Sequence, residues 1–440
     1  MTTKAYVSCA AAFLLAASAC FSQGETAVPF LLVTPSAEAG GTADAFAGIR
    51  TSDPLGPVLN PAHLGLQAGR QWFSFGYNRV NWLPQLQHSD LYLRTYAFNA
   101  GVNLRTLDEG LPPISIGVGF SRIFLNLGEF VRTSSSGPEP IETFEAWESS
   151  NQLSVGAGVD WWIRAAAGFT SRSVTSRIGL PGEEWPGSMA VPEGKAALHD
   201  IGFLAEIPLL RLASEAAGRP IEIMPSFVPY LDWSLGVAKN NLGQESITYI
   251  DPAQADPLPR YGRAGMGVDV GLCWRKGGMD WKVVSFRWST EAGDLLLRRY
   301  GELRDSAGTI IRPAGWEYKE GLGAIRFYDE VVRGHTNPET EKRKGWELTL
   351  LEIFSLRGGR FEEDPQRGNR RYNTAGWGIR LGGVVKLLAM LEVPMDAEGI
   401  GGFLLQHADV QFDYGALDTE DGSSPLDRTR WGGLRVAVWN

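Results

Sequence analysis

Ile114-Ser-Ile116-Gly-Val118-Gly-Phe120-Ser121 alternates apolar residues with small or polar ones without a fault. The same period returns in Leu153-Ser-Val155-Gly-Ala157-Gly-Val159-Asp-Trp161 and in Val268-Asp-Val270-Gly-Leu272-Cys-Trp274. Near the end of the chain, His407-Ala-Asp409-Val410-Gln411-Phe412-Asp413-Tyr414 separates an apolar face from a polar one. Successive side chains of a strand point to opposite sides, so these runs predict strands that divide two different environments. A soluble sandwich alternates as well, and further features are needed to choose between the two.

Working outward from these runs, thirteen candidate strands stand near 71–81, 91–104, 113–125, 150–162, 164–178, 196–211, 225–240, 261–275, 279–290, 344–356, 373–387, 403–416 and 428–439. A weaker fourteenth lies at 323–332, in Gly323-Ala-Ile325-Arg-Phe327-Tyr-Asp. Many are longer than the ~5–6 residues of an ordinary strand and reach the about 9–11 needed to cross lipid at a tilt. Opposite the apolar residues stand Gly, Ser, Asp and Asn rather than a second apolar set. Aromatics fall toward strand ends, at Trp72, Tyr77, Trp82, Trp161, Trp162, Trp274, Trp281, Trp288, Trp346, Trp431 and Trp439, where interfacial girdles need them. Loops alternate between short (105–112, 163, 276–278) and long (126–149, 179–195, 240–260, 291–322). The expectation is an all-β transmembrane antiparallel β-barrel of about 14 strands. An even count returns both ends of the wall to one side, which is the reason to accept the weak strand.

Composition agrees. The chain has 440 residues, 53 of them Gly, with 11% aromatics and 15 Trp. Its aromatics exclude a disordered chain. After residue 22 no apolar run reaches the ~20 residues of a membrane helix. The net charge of −9 shows no clustered basic excess, so no nucleic acid partner is expected. Length alone would suggest two or three soluble domains; the strand pattern replaces that with one closed sheet, whose alternate glycines leave room on the inner face.

Residues 1–22 read as a cleaved signal peptide: Lys4, an apolar stretch from Ala10 to Ala19, and a cleavage point at Ser22–Gln23. Cys9 and Cys20 fall inside it, so Cys273 stands alone in the mature chain and no intrachain disulfide forms. Cys20, after Ala17-Ser18-Ala19, is also placed as a lipoprotein cysteine would be, without the usual leucine three residues before it. Residues 23–70 carry Pro, Gly and short helical patches, read as a periplasmic or plug segment that precedes a barrel over 71–440.

Enzyme chemistry finds no support. There is no Gly-x-Ser-x-Gly elbow and no His-Glu-x-x-His. Gly117/Gly119 and Gly156/Gly158 lie within alternating strands and make no dinucleotide loop. His63, His88, His199, His335 and His407 are scattered at no metal-ligand spacing. His407, Asp409 and Asp413 share a strand face and Asp200 follows His199, which reads as a hydrated lumen or rim. No catalytic residue, metal or cofactor is expected. Glu362-Glu-Asp, Arg367 to Arg371 and Glu339 to Lys344 read as solvated loop faces.

Patches in a shared order carry a resemblance. Val28-Pro29-Phe30-Leu31, Ala39-Gly40-Gly41, Asp44-Ala45 and Asn60-Pro61-Ala62 resemble the start of the PorV/PorQ family of outer-membrane proteins. Asn81-Trp82-Leu83-Pro84 is similar to its first hairpin, and Leu125 to Thr133, with Gly128 and Glu129, to its LGE-x-x-RT stretch. Ile250 to Arg260, with Gln254, Asp256 and Pro259, resembles its QADPLPR turn, and Glu347 to Gly359 its late strand and turn. The chain departs from the family at Glu38, where Arg is usual, and at Thr42-Ala43, in place of Met-Gly. The resemblance implies a barrel similar to the FadL long-chain fatty acid transporters and a part in the type IX secretion system. The expected partners are the type IX translocon, the C-terminal signal domains of cargo proteins, and outer-membrane lipid. The expected role is to collect cargo and shuttle it to a surface attachment complex; the alternative is a FadL-like channel for hydrophobic small molecules, with residues 23–70 as hatch.

Overall fold

In a computed structural model the chain is described over residues 26–439, apart from 87–90, 135–136, 179–190, 251–254, 277–278, 305–309, 394–398, 421 and 423. The expected signal peptide, Cys9, Cys20, His88 and Gln254 lie outside the described residues. Fourteen strands form one closed antiparallel barrel. They are β1 (Phe73–Asn81), β2 (Tyr92–Asn103), β3 (Ile114–Ser134), β4 (Gly137–Asp160), β5 (Arg164–Arg177), β6 (Gly194–Pro208) and β7 (Phe227–Gly243). The second half comprises β8 (Tyr261–Lys276), β9 (Met279–Leu295), β10 (Glu341–Leu350), β11 (Phe354–Glu362), β12 (Arg371–Arg380), β13 (Ala408–Thr419) and β14 (Arg430–Val438). Each pairs with the next, and β1 closes on β14 from Phe73 opposite Val438 to Asn81 opposite Arg430. The even count brings the start of β1 and the end of β14 to one end of the barrel, here the turn end. Among the described residues, the opposite, loop end carries 82–86, 191–193, 244–250, 255–260, 296–304, 310–340, 363–370 and 424–429.

The wall is inverted relative to a soluble protein. On β3, Ile116, Val118 and Phe120 are 48%, 52% and 42% exposed, while Ser115 and Ser121 on the other face are 5% and 6% exposed. Leu153 and Val155 on β4, Phe169 on β5, Ile201 and Phe203 on β6, and Phe412 on β13 are likewise exposed. Closure satisfies every strand edge, and the apolar side chains face outward, which is the arrangement that suits lipid. The face carrying Gly and Ser is the inner one, as the alternate glycines led us to expect.

Two strand assignments change. Residues 323–332 are not a strand: Phe327–Val332 winds as a π-helical turn in the loop between β9 and β10. The fourteenth strand is β11, and the single strand expected over 344–356 is two. Leu351 and Glu352 adopt φ of 57° and 54°, the left-handed pair that a tight hairpin requires. Neither residue advertises a turn, so the break was not legible. Residues 126–149, expected as loop, largely continue β3 and β4 as a hairpin beyond their neighbours, with a bulge at Asn126/Gly128 where Gly128 takes φ 93°.

Strands expected to 211 and 387 end earlier, because helices take over. Helix α1 (Leu209–Ala217) follows β6 and α2 (Leu381–Met390) follows β12. Helix α2 is pinned on one side by Lys386 to Glu352 at 3.2 Å and by the Met390 carbonyl, which accepts from Lys276 at 3.0 Å. Its other side exposes Leu381, Val384, Leu388 and, just past its end, Leu391, one apolar stripe at helical spacing. Among the expected girdle aromatics, Trp72, Trp161 and Trp162 are exposed at the turn end, whereas Trp82 and Trp431 are buried.

Candidate functional site

The site is the filled lumen and the loops above it. The Ala27 amide donates to the carbonyl of Pro257 at 2.8 Å, which ties the start of the described chain to a long loop at the loop end. From there residues 28–68 run inside the barrel, almost wholly buried, and leave at the turn end into β1. An irregular buried backbone needs partners for its N–H and C=O groups, and inward polar side chains of the wall supply them. Asn78 accepts from the Ala37 amide at 2.9 Å, Thr95 donates to Pro35 O at 2.8 Å, and Asn99 to Pro54 O at 2.9 Å. Ser115 donates to Gly65 O at 2.6 Å and Ser234 to Gly48 O at 2.7 Å. Glu291 accepts from the amides of Phe46 and Ala47 at 3.0 and 2.8 Å.

Inward glycines let the segment reach the wall. A Cβ on Gly168 would lie 2.3 Å from the backbone of Pro61, and one on Gly359 would lie 2.5 Å from that of Thr42. At Gly236 it would lie 2.0 Å from the carbonyl oxygen of Ala47, while at Gly432 it would meet nothing within 4 Å. Gly236→Val is therefore expected to cost about 1–3 kcal/mol by overpacking. Gly432→Val should stay within about 0.5 kcal/mol. Urea midpoints of the two variants refolded into lipid vesicles check the contrast.

Ion pairs lock the segment in place. Glu38, on the short helix Ala37–Gly41, pairs with Arg287 of β9 at 3.1 Å and with Arg435 of β14. Arg287 also pairs with Glu347 of β10. Arg357 of β11 joins Glu347 at 2.5 Å to Asp413 of β13 at 2.6 Å, and Arg435 returns to Asp413 at 2.7 Å. Three carboxylates and three guanidiniums thus alternate around a closed ring, all but Arg287 buried. Two more anchors follow along the segment: Asp44 to Arg263 of β8 at 2.5 Å, and Arg50 to Glu206 of β6 at 3.1 Å. Glu341 and Arg343, expected in a solvated loop, are buried at the head of β10, where they pair at 2.6 Å beside Tyr261. Glu363 is buried too, held by Arg370 at 2.8 Å.

Toward the loop end the filling turns apolar, with Val28, Phe30, Leu31 and Val33 packed among Leu93, Leu125, Leu198 and Leu258. A pocket between Leu31–Val33, Val58–Leu59 and Arg172 has about 30 Å³, room for one water. Above it, the Tyr318 hydroxyl accepts from the Leu258 amide at 3.1 Å and lies 2.6 Å from Glu245 O, with the Arg260 guanidinium 3.8 Å from its ring centre. Burial pushes this phenol up to about 12.

The residues singled out in the sequence divide between these regions. Phe30 is 1% exposed in the apolar filling, and Pro29 opens the turn Pro29–Leu32. Gly40 lies against the Trp431 ring and Gly41 against Arg357 and Gly376. Asn60 donates to Ala47 O at 2.9 Å and to Phe203 O at 3.2 Å, and Pro61 fills the space left by Gly168. Ala43, where the PorV/PorQ pattern has Gly, takes φ 51°, a conformation Gly adopts at less cost. Gly128 and Glu129 stand on the β3–β4 hairpin, Asp256 in a two-residue ladder 3.5 Å from Arg299, and the Pro259 carbonyl accepts from Asn241 at 2.8 Å. The lumenal group and the loop group come together at the Ala27–Pro257 contact and in the apolar cluster of Val28–Val33 with Leu258. Sequence reasoning missed the ion ring, although single charges at inward positions, such as Arg287 between Phe286 and Trp288, were its signal.

His199 stacks on Phe169 outside the wall, 6.0 Å between ring centres, while Asp200 points inward to Arg172 at 2.5 Å. Asp409 receives the Gly382 amide at 2.9 Å. Among the described residues no cluster of three or more His, Cys, Asp or Glu offers a metal site. At the loop end Val131, Leu303, Ile310, Ile311 and Tyr328 are all exposed.

No known family model matches the chain, and no characterised protein matches it by sequence. Among solved structures it is similar to the Pseudomonas putida toluene transporter TodX, with 9% identity over 92% of this chain and 96% of that one and a TM-score of 0.38. A Pseudomonas aeruginosa FadL homologue gives 10% identity over 92% and 98%, with a TM-score of 0.35. CdiB from Acinetobacter baumannii gives 8% identity over 84% and 60%, with a TM-score of 0.32.

Proposed function

We propose that the chain is an outer-membrane barrel of the type IX secretion system. In this reading its outer loops hold exported proteins by their C-terminal signal domain and pass them from the translocon to a surface attachment complex. The turn end faces the periplasm and the loop end the outside, the usual orientation of bacterial barrels. The observation that carries the reading is the contrast between a filled lumen and exposed apolar loops. Residues 28–68 run buried through the lumen and the pocket beside them, about 30 Å³, is too small for a solute, while Val131, Leu303, Ile310 and Ile311 stand on the loop end with 47–62% of their surface exposed. Exposed apolar groups carried on a rigid wall suit protein recognition. The role requires no covalent chemistry of the barrel.

One observation favours a second reading, a channel for hydrophobic molecules. The loop-end half of the lumen is apolar, and Val28–Val33 occupies it as an apolar ligand would. Deleting the gene separates the two. The first reading predicts that cargo with type IX signal domains is stranded in the periplasm. Normal surface delivery with reduced fatty acid uptake would replace it with the second.

A further inference from the structure

The outward faces of β1, β2 and β3 change character at one level. Toward the turn end they carry Phe73, Phe98, Val118 and Phe120, all exposed. Toward the loop end come Arg79, Arg94 and Arg122, interleaved with aromatics. Register places Arg79 directly opposite Arg94, and Arg122 opposite Tyr96. Like charges on facing positions of an antiparallel pair repel, and these two converge further: their guanidinium carbons lie 4.9 and 4.4 Å from the centre of the same Tyr92 ring. Arg122 lies 5.9 Å from the Phe124 ring.

Inside the barrel, Arg263, Arg287, Arg357 and Arg435 each touch two carboxylates. Outside it, Arg79, Arg94 and Arg122 meet none among the described residues, and Arg94 Nε is buried without any hydrogen-bond partner. A wall that pairs these four inner cations with carboxylates, and leaves three adjacent outer ones with no carboxylate among the described residues, offers the outer three to an external anion.

We propose that Arg79, Arg94 and Arg122 form a binding site for the phosphate groups of a phosphorylated glycolipid of the outer leaflet. The guanidiniums are planar forks suited to phosphate oxygens. The apolar wall directly below them would carry the acyl chains, and this continuity selects a lipid over a protein partner. The site rests on the proposed orientation, with the loop end outward.

The test uses the purified full chain in detergent, with binding of a bis-phosphorylated lipid A and of its dephosphorylated form read by native mass spectrometry. Wild type should retain the phosphorylated lipid, and Arg79→Gln/Arg94→Gln should bind it at least about tenfold more weakly, as expected when charge-assisted contacts are removed. Equal retention of the dephosphorylated lipid, or unchanged binding by the variant, would overturn the site. Displacement of the lipid by millimolar inorganic phosphate would overturn the lipid assignment. A folded band of unchanged heat-shift on gels controls for the variant's fold. Cargo delivery plays no part in this measurement, so a negative result leaves the secretion reading standing.

Discussion

Arg357→Met is expected to destabilise the barrel by about 3–5 kcal/mol, the cost of breaking a buried ion pair by removing one partner. Arg357 is 1% exposed and bridges Glu347 and Asp413. Its loss leaves both carboxylates in the lumen with one guanidinium fewer between them, and the ring opens between Glu347 and Asp413. Arg360, three residues on in the same strand, is the internal comparison. It touches Glu362 and Glu420 at 2.7 Å each, but its side chain is 41% exposed. Exposed pairs contribute about 0–1 kcal/mol, so Arg360→Met should shift the urea midpoint little. Equal effects of the two substitutions would show that the ring is not a buried network.

Val131→Asp/Ile311→Asp is expected to stop surface delivery of type IX cargo while leaving the barrel folded. Both residues are exposed, at 57% and 62%, on segments beyond the wall, so the substitutions remove no packing within it. What they remove is apolar surface for a partner, and they place two charges where a desolvated contact would form. The readout is the fraction of signal-domain cargo reached by protease on intact cells, with the folded band of the barrel as control. Full delivery by the double variant would move the working surface away from these loops.

Much of this architecture was legible in the sequence, because alternation is a local property. Ile116, Val118 and Phe120 against Ser115, Gly117 and Gly119 fixed both the strand and its two environments. The number of strands was legible only through parity, and its source was misplaced: Leu351-Glu352 turns in a left-handed conformation that neither residue type signals. Helix α2 begins with Leu-Gly-Gly-Val-Val, a run that suits a strand as well as a helix, and its fate was decided by the anchors Glu352 and Lys276 far away in sequence. The ion ring was hidden for a related reason. Glu38, Arg287, Glu347, Arg357, Asp413 and Arg435 are scattered over nearly the whole chain, and only closure of the barrel brings them into one circuit. Trp431 was read as an interfacial aromatic from its place at a strand end; it points inward because Gly40 leaves space for its ring.

Everything proposed for the loops depends on a lumen that residues 26–70 keep shut. The direct measurement is ion current through the purified barrel in a planar lipid bilayer, compared with Glu38→Gln/Asp44→Asn/Arg50→Gln, which removes the three charged anchors of the segment. The expected result is no steady current through the wild type and stepwise opening in the triple variant. A steady open-pore current through the wild type, equal to that of the variant, would contradict it.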